Sequence, residues 1–263
     1  GNGGAIYNDG TKDLKDNGGV MNLNDVEFAK NKADGNGGAV YNSGKLSIAD
    51  ATFDGNESQG WGGAIYNTSA NGELYVKDAQ FLNNTATYGA AISAGTSAKS
   101  TVIESSLFQG NTATSQGTVG LFSNGSLTDV IFKNNKVTNA EGDGAGALFL
   151  GSLATVTLND VEFIGNTSAA NGGAIATRIA ENEDGTKNRN DGTLDIVDST
   201  FVKNTAATDG GAIYNTFYTS VEAAGGAYVA KSSFLGNKAT NGGAIYNDGT
   251  EDYNGKHAVL NLS

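Results

Sequence analysis

Carboxylate side chains recur in this sequence at one fixed position, three residues before a phenylalanine. They are Asp25, Asp50, Asp78, Asp129, Asp160 and Asp198, and Ser105 and Lys231 take the equivalent place in two further units. Carboxylate oxygens are ligands that calcium prefers, and carboxylates one strand apart repel each other, so such a column favours a cation or solvent. We expect these residues to bond their own backbone at turns, with Lys231 paired to Asp198. Calcium binding along the column is the alternative, and no other cofactor is expected.

A second group of charged and aromatic side chains lies in two long insertions. Residues 177–192 hold both arginines of the chain, and residues 215–224 hold two neighbouring aromatic residues. Insertions in a repeat array often build its binding face. The candidate binding residues are Arg178, Glu181, Asp184, Arg189, Phe217, Tyr218 and Trp61. Trp61, the only tryptophan, could stack on a sugar or cover a turn, and we favour the cover.

Nothing in the sequence predicts a catalytic centre. The single histidine, His257, has no evident nucleophile near it, so a Ser-His or Cys-His relay is not expected. No zinc-ligand spacing occurs, and the glycine-rich turns do not open a helix as a phosphate loop would. A polysaccharide lyase or hydrolase with paired carboxylates stays as an alternative. Only residues 177–192 interrupt the repeat in the way that such a site would require.

Two short phrases alternate along the chain and set the positions of these residues. The second phrase, Phe-x-x-Asn, occurs eight times, with successive phenylalanines 24 to 38 residues apart. A unit repeated at that period predicts a solenoid, a propeller or another repeat array. The first phrase is a variant of Gly-Gly-Ala-Ile-Tyr-Asn and begins at Gly3, Gly37, Gly62, Gly89, Thr118, Ala145, Gly172, Gly210 and Gly242.

Alternation within each unit favours strands over helices. The residue five positions before each Phe is aliphatic, as at Ile48 and Val76, and its neighbours are mostly polar. A period of two is typical of a β-strand. Gly, Asn, Asp and Ser separate the strands and suit tight turns. We therefore predict an all-β fold, a right-handed parallel β-helix (β-solenoid) of about eight to nine rungs.

Stacking of the rungs turns each repeated position into a column. We expect the phenylalanines to form the core, at Phe28, Phe53, Phe81, Phe108, Phe132, Phe163, Phe201 and Phe234. Amides stacked at the rung spacing of about 4.8 Å can bond one another and cap the turns. We expect such a ladder at Asn31, Asn56, Asn84, Asn111, Asn135, Asn166, Asn204 and Asn237.

The residue after the aliphatic position of each first phrase forms a third column, which is expected to face outward. Its members are Tyr7, Tyr41, Tyr66, Ser93, Phe122, Phe149, Ala176, Tyr214 and Tyr246. An exposed aromatic row can stack on sugars or dock a partner. It can equally stack on itself between rungs, which is the role that we favour.

Composition fits one elongated repeat domain over residues 1–263. The chain has 39 glycines, no proline and no cysteine, and proline would remove a donor from the rungs. A net charge of −12 argues against binding to nucleic acids or anionic membranes, and no apolar run is long enough to span a bilayer. Both ends cut through a unit without a polar cap, so we expect an uncapped fragment with the insertions 177–192 and 215–224 projecting from one edge.

The alternation of Gly-Gly-Ala-(Ile/Leu/Val) with Phe-x-x-Asn resembles the passenger region of the polymorphic outer membrane proteins, a family of autotransporters. The resemblance covers nearly every unit. It implies a secreted β-helical passenger that is carried by an outer-membrane barrel and acts as an adhesin at the bacterial cell surface. The expected partner is a protein or glycan on a host or neighbouring cell. A non-enzymatic adhesin is therefore our main hypothesis, and a scaffold that self-associates through open β-helix ends is a further alternative.

Overall fold

The computed structural model describes residues 1–11, 18–140, 144–178, 192–217, 226–249 and 258–263. In these ranges the chain has no helix, and every strand pairing is parallel, between residues roughly one repeat apart. The expected all-β solenoid is therefore confirmed. Within the described part, no helix is long and apolar enough to cross a membrane.

Three parallel sheets run along the rod. Sheet 1 contains the first phrases, as Ile6–Asn8, Val40–Asn42, Ile65–Asn67, Ile92–Ala94, Val119–Leu121, Leu148–Leu150, Ile175–Thr177, Ile213–Asn215 and Ile245–Asn247. Sheet 2 contains the second phrases, as Val20–Ala29, Lys45–Asp54, Glu73–Lys77, Gln80–Leu82, Ser100–Gln109, Gly125–Lys133, Thr155–Ile164, Thr193–Val197, Thr200–Val202, Gly226–Ala230, Ser233–Leu235 and Leu260–Leu262. Sheet 3 follows the Phe-x-x-Asn turn, as Lys32–Ala33, Glu57–Ser58, Thr85–Tyr88, Thr112–Ser115, Lys136–Val137, Thr167–Ser168 and Thr205–Ala206.

The number of complete rungs is slightly smaller than expected. Sheet 1 has nine strands in the described ranges, whereas sheet 3 has seven. About seven turns therefore carry a strand in all three sheets, and the sequence predicted eight to nine. In the last rung the third strand is replaced by an isolated bridge between Thr205 and Lys238, and the first strand of sheet 1 has no strand of sheet 3 before it.

The core of the rod is a stack of phenylalanine rings. Neighbouring rings of the Phe column lie with centroids 4.7 to 5.1 Å apart and planes within 14° of parallel. From Phe53 to Phe201 the members are fully buried. They face the aliphatic column of sheet 1, including Val40 and Ile213, within one continuous apolar cluster. The spacing follows the distance between strands, because each rung places its ring directly on the previous one.

Asparagine amides form a second stack where sheet 2 turns into sheet 3. Each Nδ2 donates to the Oδ1 of the asparagine in the next rung at 2.9 to 3.0 Å, from Asn31 through to Asn237. A separate amide ladder, which was not expected from the sequence, joins Asn8, Asn42 and Asn67 at 2.7 Å. These ladders satisfy the polar groups at turns that the solenoid buries.

Candidate functional site

The structure corrects the register of the fifth first phrase by two residues. Gly120 pairs with Ser93, so Gly120 occupies the position in the aromatic column that was expected for Phe122. The phrase therefore begins at Gln116, whose φ of 69° lies in the left-handed region that glycine takes in most other units. The expected start at Thr118 is wrong because glutamine replaces the glycine that marks the phrase elsewhere.

The middle of the aromatic column is covered. Tyr7 is 55% exposed at one end of the rod, but Phe149 and Ala176 are fully buried. Phe149 packs with Ala145 and Ala176 in a small cluster outside sheet 1, and Phe122 is partly buried against it. The expectation that this column faces outward as an exposed row is therefore wrong for its central members.

Trp61 and Phe122 cover a gap left by two small residues of the column, Ser93 and Gly120. The two rings meet edge to face with centroids 5.6 Å apart, although their backbone positions are two rungs apart. The indole of Trp61 also stacks on Tyr88 at 4.5 Å. Trp61 thus covers a turn, while part of its side chain stays exposed.

Ring contacts continue from this cover to the first rung. Tyr7 stacks on Tyr41 at 4.7 Å, and Tyr41 lies 5.5 Å from Tyr66. Tyr66 in turn lies 6.5 Å from Trp61. Burial raises the pKa of the Tyr41 hydroxyl, and the neighbouring tyrosines add to the effect. We call this continuous surface the aromatic strip, and it consists of Tyr7, Tyr41, Tyr66, Trp61, Tyr88 and Phe122.

A groove of about 300 Å³ adjoins the end of the aromatic strip. We call it the Phe122 groove, and it is lined by Thr96, Ala98, Phe122, Ser123, Asn124, Ser152 and Leu153. Leu153 is 66% exposed. The Oγ of Ser123 is buried and has no hydrogen-bond partner in the structure, which is an unfavourable state for a hydroxyl group. The groove therefore combines an aromatic face, an exposed aliphatic side chain and uncharged hydrogen-bonding groups.

Gly151 fixes the position of the Phe122 ring. The backbone nitrogen of Gly151 donates to the carbonyl oxygen of Leu121 at 2.8 Å. This hydrogen bond holds Gly151 beside Phe122, which lies in the preceding rung. A Cβ added at Gly151 would collide with the ring of Phe122. Any larger residue would have to displace that ring, so the glycine keeps one wall of the groove in place.

The groove and four of the six strip residues, Trp61, Tyr66, Tyr88 and Phe122, lie in uncharged runs of an acidic chain. Residues 58–72, 79–98, 105–128 and 144–159 contain no Asp, Glu, Lys, Arg or His, although the chain has 28 acidic and 16 basic residues. Every residue that lines the groove belongs to one of these runs. The surface therefore suits a ligand without formal charge.

The binding residues expected in the two insertions are mostly beyond the described ranges. Glu181, Asp184, Arg189 and Tyr218 lie outside the described residues, so their grouping stays a prediction. Their two described companions, Arg178 and Phe217, differ from each other. Arg178 is exposed, and its backbone nitrogen bonds the carbonyl oxygen of Leu150 at 2.9 Å.

Phe217 lies in the core, which contradicts its expected place on an insertion that projects from the edge of the rod. Its side chain is fully buried in the main apolar cluster. Its ring lies so close to Gly192 that an added Cβ there would collide with it. An aromatic ring buried to this extent cannot contact a partner, because its stacking and packing surface is already used.

The repeated Asp column marks a bend within sheet 2. Its eight positions share φ values of 44° to 54°. The strand pairing skips each of them, as between Asn24 and Val26, so the backbone turns there. Asp and Asn tolerate this left-handed conformation better than most residues, which accounts for the recurrence.

Two further expectations for this column were an ion pair between Lys231 and Asp198 and, as an alternative, calcium binding. The described residues show no contact that supports either. Lys231 and Asp198 are both described and form no ion pair there, so that expectation is wrong. The side chains are exposed on a bend and are not held together. Among the described residues no group of three or more His, Cys, Asp or Glu side chains could hold a metal ion.

Ion pairs instead bridge neighbouring strands on the outer faces. Glu73 contacts Lys45 at 3.4 Å and also Lys99 on the following rung. The hydrogen bond from Lys99 lowers the pKa of Glu73. Lys32 and Glu57 form a similar pair across two strands of sheet 3 at 2.8 Å, which raises the pKa of Lys32.

Five segments of the chain match the Chlamydia polymorphic membrane protein repeat: 25–43, 50–68, 160–178, 198–216 and 231–248. These five segments are similar to the polymorphic membrane protein repeat and together cover less than half of the chain. No curated protein and no solved structure matches it.

The five matched segments coincide with rungs of the solenoid. Each matched segment begins at a left-handed bend residue of sheet 2, such as Asp25 or Lys231, and runs through the asparagine turn and a strand of sheet 1. Residues 69–159 lie between matched segments. That interval contains Phe122 and every residue of the Phe122 groove.

The Phe122 groove was not predicted from the sequence. The available signal was the interval in which the first phrase departs from its consensus, from Gly89 to Gly151. A departure from the repeat marks positions where the residue type is not determined by stacking on the equivalent residue of the next rung. This signal could not show which residues from separate rungs would contact each other.

Proposed function

We propose that this chain is part of a non-enzymatic surface passenger that acts as an adhesin. The observation that carries the proposal is the coincidence of polymorphic membrane protein repeats with the rungs of a β-solenoid. Such repeats on such a fold fit a surface-exposed autotransporter passenger. A solenoid offers long faces and edges for contact, because each rung packs only against the two neighbouring rungs and its outer surface stays accessible.

The proposed location is the extracellular face of a bacterial outer membrane. Antibodies raised against the purified chain should label intact bacteria, and brief protease treatment of whole cells should remove the label. Labelling that requires permeabilised cells would contradict this location. A periplasmic protein released by osmotic shock provides the control for intact cells.

The proposed adhesin activity is measured with beads coated with the 263-residue chain. Coated beads should bind host epithelial cells in a saturable manner, and soluble chain should compete. Beads coated with heat-denatured chain are the matched control, because they keep the composition and charge and lose the fold. Equal binding by native and denatured chain would refute the proposal.

The contribution of the insertions is tested in the same assay. Replacing residues 179–191 with a short Gly-Ser linker removes most of the charged insertion and leaves the neighbouring rungs in place. Loss of binding would assign recognition to this insertion, on which Glu181, Asp184 and Arg189 were predicted to act. Unchanged binding would exclude this insertion and leave the second insertion, 215–224, and the faces of the rod.

We infer no catalytic role for the repeated carboxylates. Their exposed positions at bends and their left-handed backbone explain why they recur. Incubation with pectic and other acidic polysaccharides should release no new reducing ends or unsaturated products. Either product, formed in proportion to the chain added, would favour a polysaccharide-active enzyme instead.

A further inference from the structure

The aromatic strip and the Phe122 groove lie where the repeat is broken. In the consensus rungs the column of sheet 1 carries tyrosine, but Ser93 and Gly120 interrupt it here. Their small size makes room for the rings of Trp61 and Phe122, which come from outside the column. A simple stack would need neither substitution, so this part of the rod is built differently from its ends.

We propose that this surface binds an uncharged oligosaccharide, with one sugar ring in the Phe122 groove and the chain continuing along the aromatic strip. Sugar rings have apolar C–H faces that stack on aromatic rings, and they have hydroxyl groups around the edge. The strip supplies partly exposed apolar surface from its aromatic rings. The uncharged runs around it supply hydroxyl and amide groups that both donate and accept hydrogen bonds.

The groove has the size and lining for one such ring. A volume of about 300 Å³ is at the lower end of small-molecule sites. Phe122 and Leu153 offer apolar surface on the walls, while Thr96 and Asn124 are exposed polar groups beside them.

Charge separates this ligand from the acidic and basic alternatives. No formal charge lies in the runs that build the groove. A sulfated or uronic acid chain would therefore find no cation among the described residues that line the groove, and the net charge of −12 would repel it. A cationic ligand would find no carboxylate within the groove.

Shape separates an oligosaccharide from a protein partner. Stable protein interfaces cover about 800 Å² on each partner and are enriched in arginine. The strip is narrow and follows the rod for about five rungs, or roughly 20 Å. An extended chain of sugar rings fits such a narrow track.

This inference names the partner class of the proposed adhesin, and its biological use rests on that proposed function. The binding itself is tested separately with the purified 263-residue chain. The probes are neutral hexasaccharides of glucose, mannose, galactose and N-acetylglucosamine, together with heparan sulfate and polygalacturonate as acidic chains. We expect at least one neutral probe to bind, as measured by glycan array and titration calorimetry, and neither acidic chain to bind.

Three variants locate the binding. Phe122→Ala should weaken the affinity about fivefold to tenfold, the effect of losing one stacked ring. Gly151→Ala keeps every lining side chain but displaces the Phe122 ring, so it should also weaken the affinity. Asn124→Ala removes an exposed amide and should weaken it by a smaller factor without affecting the fold.

Tyr75→Ala is the matched control. Tyr75 is an exposed tyrosine on the outer face of sheet 2, and its removal should leave the affinity unchanged. Circular dichroism and thermal melting verify that each variant is folded. If Phe122→Ala does not fold, Asn124→Ala and Gly151→Ala still decide the question.

The outcomes that overturn the proposal are specific. They are the absence of binding to all neutral probes at millimolar concentration, binding to the acidic chains only, and neutral binding that all three groove variants leave unchanged. Bead adhesion that survives enzymatic removal of cell-surface glycans would replace the glycan with a protein partner and keep the adhesin proposal. Oligosaccharide binding without bead adhesion would support the groove and contradict the adhesin proposal.

Discussion

The Nδ2 of Asn111 donates to the carbonyl oxygen of Phe81, thirty residues earlier, at 2.9 Å. The same amide group donates to Asn135, and its Oδ1 accepts from the backbone nitrogen and the side chain of Asn84. One side chain thus makes four hydrogen bonds across neighbouring rungs. The amide ladder holds the rungs together because every member is both donor and acceptor.

Asn111→Ala should lower the free energy of unfolding by about 2 to 4 kcal/mol, since it leaves several buried polar groups without partners. Asn159→Ala, at an exposed position of sheet 2, should change it by less than about 0.5 kcal/mol. Denaturant titration measures both. Equal effects at the two positions would show that the ladder adds nothing beyond an ordinary surface amide.

Phe132→Ala removes a fully buried ring that stacks on Phe108 at 4.8 Å and on Phe163 at 5.1 Å. We expect a loss of about 3 to 5 kcal/mol, because a rod with a core one side chain deep cannot collapse into the cavity. Ile131→Ala changes the adjacent, partly exposed residue on the outer face and should cost less than about 1.5 kcal/mol. A loss below about 1 kcal/mol for Phe132→Ala would place the ring outside the core.

Trp61 and Phe122 should be energetically coupled. A double-mutant cycle with alanine at each position should give a coupling free energy of about 0.5 to 1.5 kcal/mol, as for other edge-to-face pairs. The control cycle joins Trp61 to Tyr246, which lies in the last rung of sheet 1, and should be additive within about 0.5 kcal/mol. Additivity of the first cycle would mean that the two rings do not form the cover.

Asp129 tests whether the Asp column serves the backbone or a charge. With φ at 54°, Asp129→Asn should change the free energy of unfolding by less than about 0.5 kcal/mol, since asparagine accepts this conformation. Asp129→Val should lower it by about 1 to 2 kcal/mol, because a β-branched residue is strained there. A large loss with asparagine would instead indicate a role for the carboxylate charge.

Glu73 should make a small, pH-dependent contribution to stability. The hydrogen bond from Lys99 lowers its folded-state pKa below the ordinary value of 4.5. Its stabilisation is therefore present above that pH and is lost as the pH falls through the folded-state pKa. The side chain is 29% exposed, so the difference between wild type and Glu73→Gln at pH 7 should stay below about 1 kcal/mol. The two proteins should converge in strongly acidic solution, and a constant difference would contradict the pair.

The sequence by itself determined the solenoid and its inner columns. Phe132 and Asn111 could be placed because each rung repeats the surroundings of the last, so the same residue type returns at the same structural position. The left-handed bend at Asp129 leaves a similar mark, since few residues tolerate it. These features depend only on one rung and its neighbours, so the same residue type recurs at the same position in many repeats of the sequence.

Only the tertiary structure decided how side chains meet where the repeat is broken. Gln116 adopts the left-handed backbone conformation that glycine adopts at this position in most other rungs. The register near Phe122 could therefore not be predicted from the glycines of the first phrase. Trp61 and Phe122 lie 61 residues apart in sequence, and their contact depends on the space left by Gly120 between them. The burial of Phe217 likewise depends on packing against Gly192 in another rung. Contacts of this kind occur once in the molecule, and a single sequence carries no repeated signal for them.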